Sequence, residues 1–219
     1  MRASPGKIAV IIIGAVLAID QAVKIWIKTH MALNQEFAVF GDWFIIHFTE
    51  NPGMAFGMTF GGDWGKLLLS VFRVVLVICI SFYLVKLSRL PATPRGVMVG
   101  LSLILAGAAG NIIDSLFYGL LFDHSYGQIA AFLPESGGYA SFLHGKVVDM
   151  LYFPIIKDTA GDPLFFRPIF NIADTAITTG IFYLLLFQRR FFATRKAQPG
   201  NETLTGEEDG KRTVLDSHI

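Results

Sequence analysis

Apolar residues fall into four long runs, about Ile8–Ile27, Leu67–Val85, Val97–Leu121 and Ile169–Phe187. A bilayer core takes roughly 20 residues of helix at 1.5 Å rise, so each run predicts a membrane-spanning helix. Between the first two runs the period drops to two. Glu36-Phe37-Ala38-Val39-Phe40 and Trp43-Phe44-Ile45-Ile46-His47-Phe48 alternate between Gly41-Asp42 and Asn51-Pro52-Gly53, which predicts short strands joined by turns. Trp43 and Trp64 suit the membrane–water interface. The segment 122–168 is rich in Gly, Ser, Tyr and Phe (Gly137-Gly138-Tyr139-Ala140-Ser141-Phe142) and predicts irregular chain. Beyond about Ala197 the sequence is polar throughout. The pattern divides the chain into a four-helix transmembrane unit, residues 1–196, and a disordered tail, residues 197–219.

Composition agrees with the pattern. The chain of 219 residues is 53% hydrophobic and only 16% charged, whereas a soluble domain carries about 25% charged residues. A net charge of +1 gives no sign of nucleic-acid binding. The single cysteine, Cys79, excludes an intrachain disulfide. Arg2 and Lys7 precede the first run, as in a secretory signal, but no small-x-small cleavage site follows and apolar character continues past Asp20 to Ile27. An uncleaved first span is expected. Arg2 and Lys7, then Lys86, Arg89 and Arg95, then Arg189, Arg190, Arg195 and Lys196 mark the cytoplasmic side. By the positive-inside rule both termini lie there, and segments 29–66 and 122–168 lie outside.

Polar residues within this apolar frame carry the chemistry. Asp149 sits in Gly145-Lys146-Val147-Val148-Asp149-Met150-Leu151, and Asp174 in Phe170-Asn171-Ile172-Ala173-Asp174-Thr175-Ala176-Ile177. An ionised carboxylate in hydrocarbon costs several kcal/mol, so such groups line cavities and perform functions. Two carboxylates converging on one cavity share a proton and can activate water, which predicts an aspartyl peptidase. Asn111 and Asp114, at i and i+3, share a helix face, as do Asn171 and Asp174. The two runs then present matched polar faces to one cavity. Asp20 and Lys24 are spaced for an intrahelical ion pair near the outer end of the first run, with a bracing role for the outer segment. Arg73 is expected to snorkel outward. In Glu50-Asn51-Pro52-Gly53-Met54-Ala55-Phe56-Gly57, a type II turn accounts for Pro52 and Gly53 but not for Asn51. There is no His-Glu-x-x-His and no Gly-x-Ser-x-Gly, so neither a zinc protease nor a serine nucleophile is signalled. A competing class, a proton- or cation-coupled transporter, would also use intramembrane Asp and Asn, though four spans without a repeat argue against most transporter plans. A non-enzymatic scaffold would need no carboxylate pair.

Five blocks, in order over about residues 20–180, resemble signal peptidase II, the lipoprotein signal peptidases. They are Asp20-Gln21-x-x-Lys24, Asn51-x-Gly53-Met54-Ala55-Phe56, Gly110-Asn111-x-x-Asp114, Val147-Val148-Asp149 and Phe170-Asn171-x-Ala173-Asp174. The resemblance implies a four-helix bacterial inner-membrane enzyme with a small extracytoplasmic β-cradle and the active site near the outer face. It implies Asp149 and Asp174 as the catalytic pair, Asn51, Gly53, Asn111, Asp114 and Asn171 around the substrate, and Asp20 and Lys24 in support. The implied substrate is a diacylglyceryl-modified prolipoprotein, cut just before the lipidated cysteine. No metal or organic cofactor is implied, the partners are substrate and membrane lipids, and the enzyme is expected to work as a monomer. Two departures stand out. The family usually has Arg after the Asp of the third block, where this chain has Ser115, and the outer segment before Asp149 is longer than in compact members.

Overall fold

The computed structural model describes residues 4–52, 62–91, 93–157, 163–165 and 169–193. Gly53, with Met54, Ala55 and Phe56, and the tail from 197 onward lie outside the described residues. The element order is α1 (Pro5–His30), β1 (Glu36–Phe40), β2 (Phe44–Asn51), α2 (Gly62–Ser88), α3 (Arg95–Ile113), a π-helical turn (Asp114–Tyr118), α4 (Gly119–Leu121), β3 (Val147–Tyr152), β4 (Ile156–Lys157), β5 (Pro163–Phe165) and α5 (Ile172–Ala193). Among the described residues three helical stretches, Pro5–His30, Ser70–Ser88 and Arg95–Leu121, are long and apolar enough to cross a membrane, and the apolar part of α5, Ile172–Phe187, is shorter. The fourth predicted run therefore begins later than the expected Ile169. Phe170 is drawn instead into a bridge with Leu151, leaving Asn171 to cap a helix that starts at Ile172.

The ends of α1 follow from its sequence. Ser4 caps it by accepting from the Lys7 amide, Pro5 opens the first turn, and Met31 turns extended at the exit. α3 packs between α1 and α5, and small residues let it approach both. A Cβ on Gly107 would strike the Ala173 carbonyl, and one on Gly110 would come within 2.7 Å of the Asp20 carboxylate. Ala9, Leu84, Met98 and Leu105 form an apolar core low in the bundle.

At the outer end the chain switches to sheet. β1 and β2 form the predicted hairpin, turning at Gly41, whose φ of +49° favours glycine. The unexpected element is β3. It pairs antiparallel with β2, with Thr49 opposite Asp149, Glu50 opposite Val148 and Asn51 opposite Val147. Segment 122–168 is thus irregular only in part: Val147-Val148 and the alternation after it form a strand because β2 offers an edge. Side chains alternate across a strand, so Asp149 and Val148 face opposite ways. Val148 and Met150 enter a core with Ile27, Phe48, Tyr118 and Phe122, which fixes the register and turns Asp149 to the other face.

The helix contacts make a paired prediction. Gly107→Ala should lower thermal stability in detergent by about 1–3 kcal/mol through overpacking against α5. Gly14→Ala, with nothing within 4 Å of the new methyl, should be neutral or stabilising. Equal effects of the two substitutions in a melting assay would contradict the close α3–α5 approach.

Candidate active site

Lys24 of α1 has no solvent access. Residues 20, 24, 27 and 28 recur on the inner face of α1 and are buried, as is Met31 just past its end. Lys24 Nζ meets Asp114 Oδ2 at 2.8 Å, Asp20 Oδ2 at 3.0 Å and Asn111 Oδ1 at 2.9 Å. An ammonium has three protons, and here each has an acceptor. The Asp20–Lys24 pair within α1 exists as expected, yet it is only part of the arrangement. Asp20 Oδ1 accepts from the Ala173 amide at 2.9 Å, which ties α1 to the first turn of α5. Bracing therefore acts inward on the bundle at Ala173 and, through Asp114 and its bond to the Val148 amide, on the outer segment as well.

Asp114 is fully buried. Its Oδ1 accepts from Gln21 Nε2 at 2.9 Å, and its Oδ2 accepts from the Val148 amide at 3.2 Å as well as from Lys24. The resemblance implies a place for Asp114 beside the substrate; its partners Lys24, Gln21 and the Val148 amide join α1 and α3 to β3. The π turn that begins at Asp114 widens the helix there. Ser115, where the resemblance would expect Arg, donates its hydroxyl to the Asn111 carbonyl at 3.0 Å.

Above this hub lie the two aspartates. Asn171 and Asp174 form a reciprocal cap at the start of α5. Asn171 Oδ1 accepts from the Asp174 amide at 2.9 Å, and Asp174 Oδ2 accepts from the Asn171 amide at 3.3 Å. This is the capping-box arrangement, with Asp in place of the usual Glu. Asn171 Nδ2 then reaches Asp149 Oδ1 at 2.7 Å and Asn111 Oδ1 at 3.0 Å. Because Asn111 Oδ1 accepts from both Lys24 and Asn171, its amide nitrogen is turned to Asp174, donating to Oδ1 at 2.8 Å. Asn51, at the end of β2, also hydrogen-bonds Asp149. Two carboxyls from a strand and a helix are thus joined through Asn111 and Asn171. Gly53 lies outside the described residues.

Burial first, and then the charge of Asp174, push the Asp149 carboxyl from its ordinary value near 3.8 up to about 7. Hydrogen bonds from Asn171 and Asn51 and the charge of Lys24 oppose this in part. A carboxyl held protonated beside a second carboxyl that accepts from two N–H donors is equipped to deliver a proton on one side and to take one on the other. Among the described residues no group of three or more His, Cys, Asp or Glu is disposed to hold a metal ion.

A second polar cluster, not given a role from sequence, sits on the opposite face of β2. Lys28 Nζ lies 2.5 Å from Glu50 Oε1 and 3.0 Å from Ser125 Oγ, while Lys146 Nζ lies 3.0 Å from Glu50 Oε2. Burial raises the Glu50 carboxyl, but Lys28 and Lys146 more than offset it and hold Glu50 below the usual carboxylate range. Lys28 also lies over the rings of Phe122 and Tyr139. The continued four-residue spacing of Asp20, Lys24 and Lys28 was the available signal for it. A cavity of about 680 Å³ opens beside this cluster, lined by Glu50, Tyr126, Tyr139 and Lys146 among others, away from the aspartates.

Residues 12–190 match the family model described as signal peptidase (SPase) II. A lipoprotein signal peptidase of Porphyromonas gingivalis is 45% identical over 194 residues, covering 84% of each chain. One of Amoebophilus asiaticus is 33% identical, covering 79% of this chain and 74% of its own. Two solved structures described as bacterial membrane enzymes share the fold, with TM-scores of 0.58 and 0.55 at 24% and 26% identity. They cover 88% and 87% of this chain and 94% of each of theirs. None of these relatives favours transport.

The raised Asp149 carboxyl has a measurable consequence. A group whose folded value exceeds its unfolded value stabilises the fold fully below the unfolded value, and that contribution is lost as pH rises through the folded one. Stability attributable to Asp149 should therefore decline between about pH 4 and pH 7. Asp149→Asn cannot titrate, so its melting midpoint in detergent should change less across this window, by on the order of a few degrees. Parallel curves for the two proteins would show that Asp149 is not held protonated.

Proposed function

The chain belongs to the signal peptidase II family, and on that premise we propose that it is an aspartic endopeptidase with Asp149 and Asp174 as its catalytic pair. Its substrates are prolipoproteins carrying diacylglycerol on a cysteine, and the bond cut is the one just before that cysteine. The observation that carries this reading is the linkage of the two carboxyls by Asn171 and Asn111 within one array, buried at Asp149 and Asn171 and half-buried at Asn111 and Asp174. Four spanning helices with both termini cytoplasmic, as the basic segments suggest, put this array near the outer face. There the lipid chains of a substrate would hold the scissile bond at membrane level.

The proposed mechanism assigns the shared proton to Asp149, whose burial favours the neutral acid. Asp174, accepting from the Asn111 amide and the Asn171 backbone in the first turn of α5, is the ionised member. Water attacks the scissile carbonyl carbon as Asp174 takes its proton, and Asp149 protonates the carbonyl oxygen. The resulting gem-diol collapses: Asp149 recovers a proton from one hydroxyl, the C–N bond breaks, and Asp174 delivers its proton to the departing amine. Both groups end in their starting states. Asn111 and Asn171 keep the carboxyls in register throughout, while Asn51 and Gly53 are assigned to the substrate side. Asp114, with its oxygens committed to Lys24, Gln21 and the Val148 amide, is assigned to support.

Asp149→Asn and Asp174→Asn should each give folded, membrane-inserted protein whose cleavage of a lipidated peptide falls at least the roughly 10²–10⁴-fold typical of lost acid–base catalysis. Near-normal turnover by either variant would remove the pair from the chemistry.

A further inference from the structure

The cavity beside Glu50 is lined by groups that the proposed hydrolysis does not use. Beneath it lies the buried charge cluster of Lys28, Glu50 and Lys146. Both Glu50 oxygens are taken, Oε1 by Lys28 and the Ser125 hydroxyl and Oε2 by Lys146. Two ammonium groups share one carboxylate, so the cluster carries a positive charge in excess. The Glu50 side chain is 3% exposed and that of Lys146 is 21% exposed, so a molecule entering the cavity meets the cation and not the carboxylate. Asp123, two positions before Ser125, does not line the cavity and accepts from the Ala131 amide at 2.7 Å.

Uncommitted donors face this space. Lys146 Nζ donates to Glu50 Oε2 and to the Tyr126 hydroxyl, each at 3.0 Å, which engages two of its three protons among the described residues. Tyr126 accepts in that bond, so its own O–H proton remains to be given. The rings that could cage a cationic ligand already carry lysines. Lys146 Nζ lies 4.9 Å from the centre of the Tyr126 ring and 5.5 Å from that of Tyr139, and Lys28 Nζ lies 5.0 Å from Tyr139. The chemistry therefore selects an anion.

Position selects which anion. Lys28 stands two residues before the end of α1, where a spanning helix leaves hydrocarbon for the headgroup layer. The cavity wall of Ala140, Ser141 and His144 continues into apolar surface. Phe142 is exposed and packs on Phe117 with 5.8 Å between ring centres, and Phe117 and Leu120 are exposed at the end of the span Arg95–Leu121. We propose that the cavity binds the phosphate headgroup of an anionic phospholipid, with Lys146 and Tyr126 donating to phosphate oxygens and the acyl chains lying along Phe142, Phe117 and Leu120. Basic pockets at membrane level are suited to such headgroups. The site lies on the face of β2 away from Asp149 and does not depend on the role of the aspartates.

The test titrates the purified full-length protein in neutral detergent with phosphatidylglycerol and counts bound lipid by native mass spectrometry. Lys146→Gln should weaken binding at least about tenfold, because a charge-assisted bond is lost. Tyr126→Phe keeps the ring beside Lys146, removes only the hydroxyl, and should weaken binding roughly 2–13-fold. Lys7→Gln, an exposed position at the other end of α1, should bind as the parent does. Equal losses in Lys146→Gln and Lys7→Gln would mean general charge attraction and overturn the proposal. Phosphatidylcholine bound as tightly as phosphatidylglycerol would do the same. Inorganic phosphate that displaces the lipid at equal concentration would assign the cavity to free phosphate, and polyglutamate that does so would assign it to an acidic polypeptide; either result overturns the lipid reading. Where Lys146→Gln fails to fold, Tyr126→Phe decides, and unchanged affinity in that variant is fatal to the proposal.

Discussion

Burying a lysine ammonium away from water is so costly that the chain must bring acceptors to all three of its protons, and Lys24 draws them from two helices. Asp20 comes from its own helix, Asn111 and Asp114 from α3. Each acceptor has a further partner: Asp20 holds the Ala173 amide of α5, Asp114 the Val148 amide of β3, and Asn111 the carboxyl of Asp174. Replacing one member would leave the others charged and unmatched in a medium that cannot solvate them. The position of both aspartates is therefore a consequence of satisfying a cation that takes no part in the proposed chemistry.

Helices, the hairpin and the importance of the polar residues were legible in the sequence because hydrophobic runs and alternation are local properties. Residues 36–40 and 44–51 form the expected strands, and Asn111 and Asn171 are joined as their matched spacing suggested. What escaped was non-local. Val147–Tyr152 reads as an apolar segment until β2 offers it an edge, and nothing nearby reveals that pairing. The first turn of α5 hid in a different way. Asn171-x-x-Asp174 was read as one polar helix face, whereas Asn171 stands just before the helix and exchanges hydrogen bonds with Asp174 as a cap. Capping preferences favour Asn in that position, so the signal was available.

The longer outer segment has a structural use. Ser125, Tyr139 and Lys146 all come from it, and they close around Lys28 and Glu50 on the face of β2 that points away from Asp149. Glu50 neighbours Asn51, the residue that reaches Asp149. Clamping Glu50 between two cations holds this end of β2 in register with β3, as the alternation of side chains requires. Ser115 shows the complementary economy: it occupies itself with the carbonyl one turn back and leaves charge at that level to other helices.

The reciprocal cap at Asn171 and Asp174 bears on when the protein becomes active during its synthesis. Asp149 and its supporting helices leave the ribosome first, while Asp174 and both halves of the cap belong to α5 and the residue before it, which follow them in the chain. Until α5 has wound its first turn and docked on Gly107 and Asp20, Asp149 lacks the second carboxyl and the Asn171 amide that links it to Asn111. On the proposed reading, a chain whose α5 has yet to dock holds half of the proton relay. On the same reading, completion of the fold and onset of hydrolysis coincide, which spares neighbouring newly made membrane proteins from an unfinished protease.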